Sequence, residues 1–148
     1  MAASMLLMTA CEQSFDHFEK TKFDGKDISG VWAYVNNDIS EFYDFDCGVA
    51  EVIIFDGNTV SLGSIMKDDG ICRFYEYKDG YIYGCTYDDI KITYTTDMKI
   101  EDEVIYFTED HFGYSDTNTI KLEGQKLTLN TGIESRTFEK VKGFKLSK

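Results

Sequence analysis

The chain has 148 residues, the length of one domain, and its ten Tyr, eleven Phe and moderate charge supply enough apolar surface for a single hydrophobic core. Its net charge of −12, with fifteen scattered Lys and Arg, excludes a nucleic-acid-binding footprint. The same charge repels an anionic bilayer, so membrane attachment requires a covalent anchor. Proline is absent, which leaves Gly, Asn and Asp to make the turns.

Residues 1–10 are uncharged, rich in Met, Leu and Ala, and end in Met8-Thr9-Ala10 directly before Cys11. This segment resembles the lipobox of bacterial lipoprotein signal peptides, which is cut before a lipid-modified cysteine. The resemblance implies that Cys11 carries the lipid and anchors the protein in the cell envelope, with the outer membrane as the expected location and the side left open. Residues 1–10 then read as a truncated signal segment, since a cationic start is missing. Residues 11–27 read as a polar, acidic tether broken by Phe15, Phe18 and Phe23, with one helical turn able to lay an aromatic on the end of the domain.

From Ile28 to Lys148 a single β domain is expected. Short alternating or apolar runs recur between turn residues, which predicts strands near 31–35, 41–46, 49–55, 58–66, 71–77, 81–87, 90–100, 103–108, 118–122, 126–130 and 136–141. Ile90, Ile92 and Tyr94 alternate with Lys91, Thr93 and Thr95, and Ile120 and Leu122 mirror Leu127 and Leu129 across Glu123-Gly124-Gln125. Further hairpin turns are legible at Asp56-Gly57-Asn58, Lys67-Asp68-Asp69-Gly70 and Lys78-Asp79-Gly80. Consecutive hairpins form an antiparallel up-and-down meander, and eight to ten such strands remove their exposed edges by closing into a barrel. A β-sandwich is the alternative architecture.

Cys72 and Cys85 fall on two apparent strands flanking Tyr77-Lys78-Asp79-Gly80. They either face each other as a cross-strand disulfide or lie buried as small hydrophobes. Phe74, Tyr75, Tyr81 and Tyr83 belong to the densest aromatic stretch. Such side chains pack well within sheets, and on alternate positions they also make a platform for a ligand or partner.

The domain opens with Ser29-Gly30-Val31-Trp32 and closes with Arg136-Thr137-Phe138-Glu139-Lys140-Val141. This looks like the lipocalin-like domains of bacterial lipoproteins, in which a Gly-x-Trp begins the first strand and a Thr-Phe-x-Lys-Val type strand ends the barrel. The resemblance implies that Trp32 plugs the closed end, that Arg136 packs across its ring as a structural pair, and that a small apolar ligand occupies the barrel mouth.

Chemistry of other kinds is poorly represented. Two histidines, His17 and His111, leave little material for a general base, and Cys47 with Asp110 and His111 has no spacing that demands a nucleophilic set. The acidic runs lack the spacing of a dedicated calcium loop, and no Cys-x-x-Cys pair suggests zinc. The expectation is a non-enzymatic, lipid-anchored envelope lipoprotein without metal or cofactor, binding a small apolar ligand. The alternative is an interaction module with a filled barrel that contacts a protein or polysaccharide at the cell surface.

Overall fold

In a computed structural model of the protein, residues 17–34, 50–65, 76–107, 118–130 and 135–146 are described. Cys11, Cys47, Cys72, Phe74, Tyr75 and His111 lie outside them, as does the expected strand at 41–46. Within the described residues the fold is all-β, and its only helical element is a 3-10 turn at Tyr87–Asp89. The strands are β1 (Lys22–Phe23), β2 (Lys26–Asp27), β3 (Gly30–Tyr34), β4 (Ala50–Asp56), β5 (Thr59–Ile65), β6 (Glu76–Lys78), β7 (Tyr81–Tyr83), β8 (Ile90–Glu101), β9 (Val104–Phe107), β10 (Thr119–Glu123), β11 (Lys126–Asn130), β12 (Ser135–Lys140) and β13 (Gly143–Lys145).

Eight of these strands, β3, β4, β5, β8, β9, β10, β11 and β12, pair in that order, each antiparallel to the next, and β12 returns to β3 to close a ring. Glu139 and Lys140 of β12 pair with Ala33 and Trp32 of β3. Among the described residues β9 and β10 share one register pair, Thr119 with Val104, flanked by the Ile105 N–H on Asn118 O (3.1 Å) and the Ile120 N–H on Glu103 O (2.8 Å).

Strand alternation gives the ring an apolar interior. Trp32, Ile53, Phe55, Val60, Met98, Ile105, Ile120, Leu127 and Phe138 fill it, and Phe23 and Ile28 join the same cluster from below. Burying a side chain such as Phe55 removes enough apolar surface from water to stabilise the fold by about 2 kcal/mol.

A second core lies on the outer face of β3 and β4. Val31, Ala33, Val52 and Ile54 pack there against Ile82, Cys85, Val141 and Phe144. The cover is a small sheet in which β7 pairs with β6 and, in parallel, with β13. Here the fold departs from an uninterrupted meander, because the β6–β7 hairpin leaves the ring between β5 and β8. The strand expected at 81–87 stops at Tyr83. Gly84 takes φ 97, and Asp89 Oδ2 then accepts the Thr86 N–H at 2.7 Å, turning the chain into the 3-10 turn.

The segment before β3 also differs from the expected helical turn. Asp24 (φ 50) and Gly25 (φ 75) make a tight turn that folds β1 onto β2. Positive φ at both central positions is the geometry that twists a two-residue hairpin correctly, and Asp-Gly tolerates it. The resulting lid is tied to the β4–β5 turn by the Glu19 N–H on Asp56 Oδ1 (2.7 Å) and the Thr21 hydroxyl on Gly57 O (2.9 Å). Phe23, 5% exposed, is the aromatic that this segment lays on the end of the ring.

Strand directions make the two ends of the ring unequal. Two-residue turns at 57–58, 102–103 and 124–125 gather at the lid end. The connections 35–49, 66–89, 108–118 and 131–134 all join strands at the other end.

Candidate functional site

Inward-facing side chains change character along the ring. Around its middle they are sealed: Trp32 is 3% exposed, Ile53 0% and Phe138 3%. One or two inward positions further toward the long connections, Tyr34, Glu51, Leu62, Tyr94 and Arg136 are all half-buried. Their inward direction follows from pairing. Tyr34 and Leu62 pack against the inner core, Glu51 is the cross-strand partner of Tyr34, and Tyr94 is the partner of Leu62.

We call the inward, half-buried end that these residues mark the cup. Its floor includes Phe138, whose ring centroid is 5.9 Å from that of Tyr34. Leu62 and Tyr94 are cross-strand partners on β5 and β8. Arg136 forms an ion pair with Glu51 and holds its guanidinium carbon 5.7 Å from the Tyr34 ring centroid. With side chains 39% and 46% exposed, Arg136 and Glu51 gain about 1 kcal/mol or less from each other, so the pair can rearrange around a bound group. Such a cup offers apolar and aromatic surface to the body of a small molecule and both a donor and an acceptor to its polar end.

The cation over Trp32 is Lys140, not Arg136. Lys140 Nζ lies 5.1 Å from the Trp32 ring centroid and donates a hydrogen bond to the Ser29 carbonyl. The cause is register. Lys140 is the direct cross-strand partner of Trp32, whereas Arg136 lies four residues up β12, about 13 Å along an extended strand. Trp32 completes this closed end by donating from Nε1 to Ile28 O at 2.9 Å. Burial pushes the Lys140 ammonium below its ordinary pKa, with Asp27 opposing the shift. Asp27 accepts N–H groups from Ser29 (3.0 Å) and Thr21 (3.4 Å).

The other expected site residues lie apart from the cup. Cys85 is buried in the outer core, and its expected partner Cys72 lies outside the described residues, as do Phe74, Tyr75 and the lipidation candidate Cys11. Tyr81 and Tyr83 stand on the face of β7 opposite buried Ile82, away from the ring, with Lys145 Nζ 3.9 Å from the Tyr81 ring centroid. Sequence reading missed Tyr34, Glu51, Leu62 and Tyr94 as a set. The usable signal was their position, on the inward phase of the alternation and at strand ends that lead into long connections.

Compared with models of protein families, with curated proteins and with solved structures, the chain matches none.

Proposed function

We propose that this protein is a non-enzymatic bacterial envelope lipoprotein, anchored by a lipid on Cys11, whose ring is a lipocalin-like barrel that binds a small, largely apolar ligand in its mouth. The observation that carries the reading is the gradient of inward positions, sealed at the level of Trp32 and half-open at Tyr34, Leu62 and Tyr94, at the end where the long connections join. The lipocalin likeness is supported by Gly30-Val31-Trp32 opening the first ring strand and by a cation from the last strand resting on the tryptophan. Stagger supports it too. Following the paired registers once round the ring returns to β3 about twelve residues further along, which tilts the strands and widens the interior of an eight-stranded ring.

Because the core beneath is packed, the ligand sits shallow, over Phe138, and its polar end meets Arg136 or Glu51. Native mass spectrometry of purified protein is the test. A copurified small molecule that is lost in Tyr94→Ala is the expected result. Wild-type protein that carries none and binds no polarity-sensitive apolar dye would sink the ligand reading.

That outcome would favour a second reading, an interaction module that contacts a protein or polysaccharide. The filled lower interior and the outward Tyr81 and Tyr83 favour it. For the anchor, a fatty-acid probe should label wild type and fail on Cys11→Ala; equal labelling of both refutes it.

A further inference from the structure

At the lid end, a groove of about 680 Å³ runs between the segment that leads into β1, the β4–β5 turn and the last part of β8. Lys20, Lys22 and Lys99 stand in its lining with one acid, Asp97, and Met98 and Ile100 contribute its apolar surface. Lys99 also pairs with Glu101 at 2.6 Å, an exposed contact that a phosphate can share. Within the lining three lysines stand against one carboxylate, Asp97, while Glu101, paired with Lys99, and Glu19, whose carboxylate lies at Gly57, border it.

The position of the groove in the chain gives it an occupant. Cys11 precedes the first described residue, His17, by six positions, a reach of at most about 20 Å for an extended chain. Lys20 and Lys22 follow within five more residues and are fixed to the body, because Thr21 between them is tied to Gly57. Glu19, bonded to Asp56 and Gly57, holds the root of this segment at the β4–β5 turn, so a lipid on Cys11 tethers the domain from its lid end.

We infer that the groove docks the phosphate headgroups of an anionic bilayer, so that the domain stands on its lid end with the cup opening away from the membrane. This rests on the reading of Cys11 as a lipid anchor. The anchor supplies the affinity that a net negative domain lacks, and the lysines set the orientation, each attracted to the anionic surface within a Debye length.

The test is amine footprinting of the full-length lipidated protein in vesicles of phosphatidylglycerol and phosphatidylcholine, in vesicles of phosphatidylcholine alone, and in detergent. Acetylation of each lysine is read by mass spectrometry. Lys99 and Lys91 make an internal comparison, since they lie near opposite ends of β8. In the anionic vesicles Lys20, Lys22 and Lys99 should react severalfold more slowly than in detergent, with Lys91 unchanged and the protection weaker on phosphatidylcholine. The double variant Lys20→Glu with Lys22→Glu should lose the protection of Lys99 while keeping its circular dichroism and its vesicle association.

Vesicle-bound protein with uniform labelling at both ends of β8 overturns the inference and leaves the anchor intact. Equal protection by millimolar inorganic phosphate without vesicles overturns it in favour of a soluble anion site. Protein that carries no lipid and stays off the vesicles overturns the anchor, and the inference with it.

Discussion

Lys140 rests over the ring of Trp32 at the point where the last strand of the ring meets the first, its Nζ 5.1 Å from the ring centroid and hydrogen-bonded to the Ser29 carbonyl. One side chain thus joins β12, Trp32 and the approach to β3. Lys140→Ala removes a cation–π contact and a charge-assisted hydrogen bond and should lower stability by about 1–3 kcal/mol. Arg136→Ala, which loses a half-exposed ion pair, should cost about 1 kcal/mol or less. Urea unfolding of the two variants decides which cation matters; a larger loss for Arg136 would overturn the assignment.

Tyr77 ties the small outer sheet to the ring. Its hydroxyl donates to Lys140 O at 2.7 Å, and burial, with Glu139 adding to it, pushes its pKa up to about 12. The unfolded phenol ionises near 10, so between those values the unfolded state binds fewer protons than the folded one. Stability from this group is therefore complete below pH 10 and is lost as pH rises toward 12. Tyr77→Phe should cost about 1 kcal/mol at neutral pH for the lost hydrogen bond and flatten the alkaline fall. Unfolding midpoints across the alkaline range for both proteins check this.

Gly63 sits where β5 and β8 slip register, and a Cβ there would lie 2.7 Å from the Lys91 carbonyl oxygen and 3.0 Å from Ile90. The nearest obstacle is backbone, which cannot swing aside as a side-chain tip can. Gly63→Ala should destabilise by about 1–3 kcal/mol, as overpacking does. Thermal unfolding no different from wild type would show that the strands part without cost.

Much of the ring is legible as alternation. The strand expected at 126–130 has those bounds, and those expected at 90–100 and 118–122 are matched within one residue by 90–101 and 119–123, because polar and apolar side chains there take opposite faces. The β6–β7 hairpin about Lys78-Asp79-Gly80 was expected, but its place outside the ring was hidden for a physical reason: β13, which holds it there, is three residues long, too short to show a period, and its parallel pairing with β7 joins Gly143 to the distant Tyr81. A signal did exist in Val31-Trp32-Ala33 and Val52-Ile53-Ile54-Phe55, continuous apolar runs of the kind found where both faces of a strand are covered. The cation over Trp32 was not decidable from pattern, since Arg136 and Lys140 share the inward phase of β12 and only register separates them. The cup was missed because its polar pair comes from β4 and β12, which meet only once the ring has closed.

Asp27 should mark the acid limb of stability. Burial raises its pKa, but hydrogen bonds from Ser29 and Thr21, with Lys22 nearby, outweigh it and hold the carboxyl below its ordinary value. The unfolded state thus takes up the proton first, so this contribution is present above the ordinary carboxylate range and disappears as pH falls through the lowered value. Asp27→Asn, which keeps a neutral acceptor for the Ser29 N–H, should lower stability at neutral pH by the part the charge contributes and shallow the loss below about pH 4, the two proteins converging in acid. Acid titration followed by tryptophan fluorescence reports it directly, since Trp32 is the single Trp and bonds to Ile28, the next residue.

Among the described residues the pairing round the ring is uneven: β4 and β5 share seven register pairs, β9 and β10 one. That junction is a clasp. If it parts, the three-strand run β10, β11 and β12 remains hinged to the rest through β3, and the circle becomes an open ribbon with a β9 edge and a β10 edge facing solvent. Such edges seek a matching strand, and the nearest perfect match is the same clasp on another molecule. The amides of Ile105 and Ile120 are then the first of the ring's hydrogen-bonded amides to exchange with deuterium, and conditions that loosen them are those under which two chains trade their β10–β12 arms.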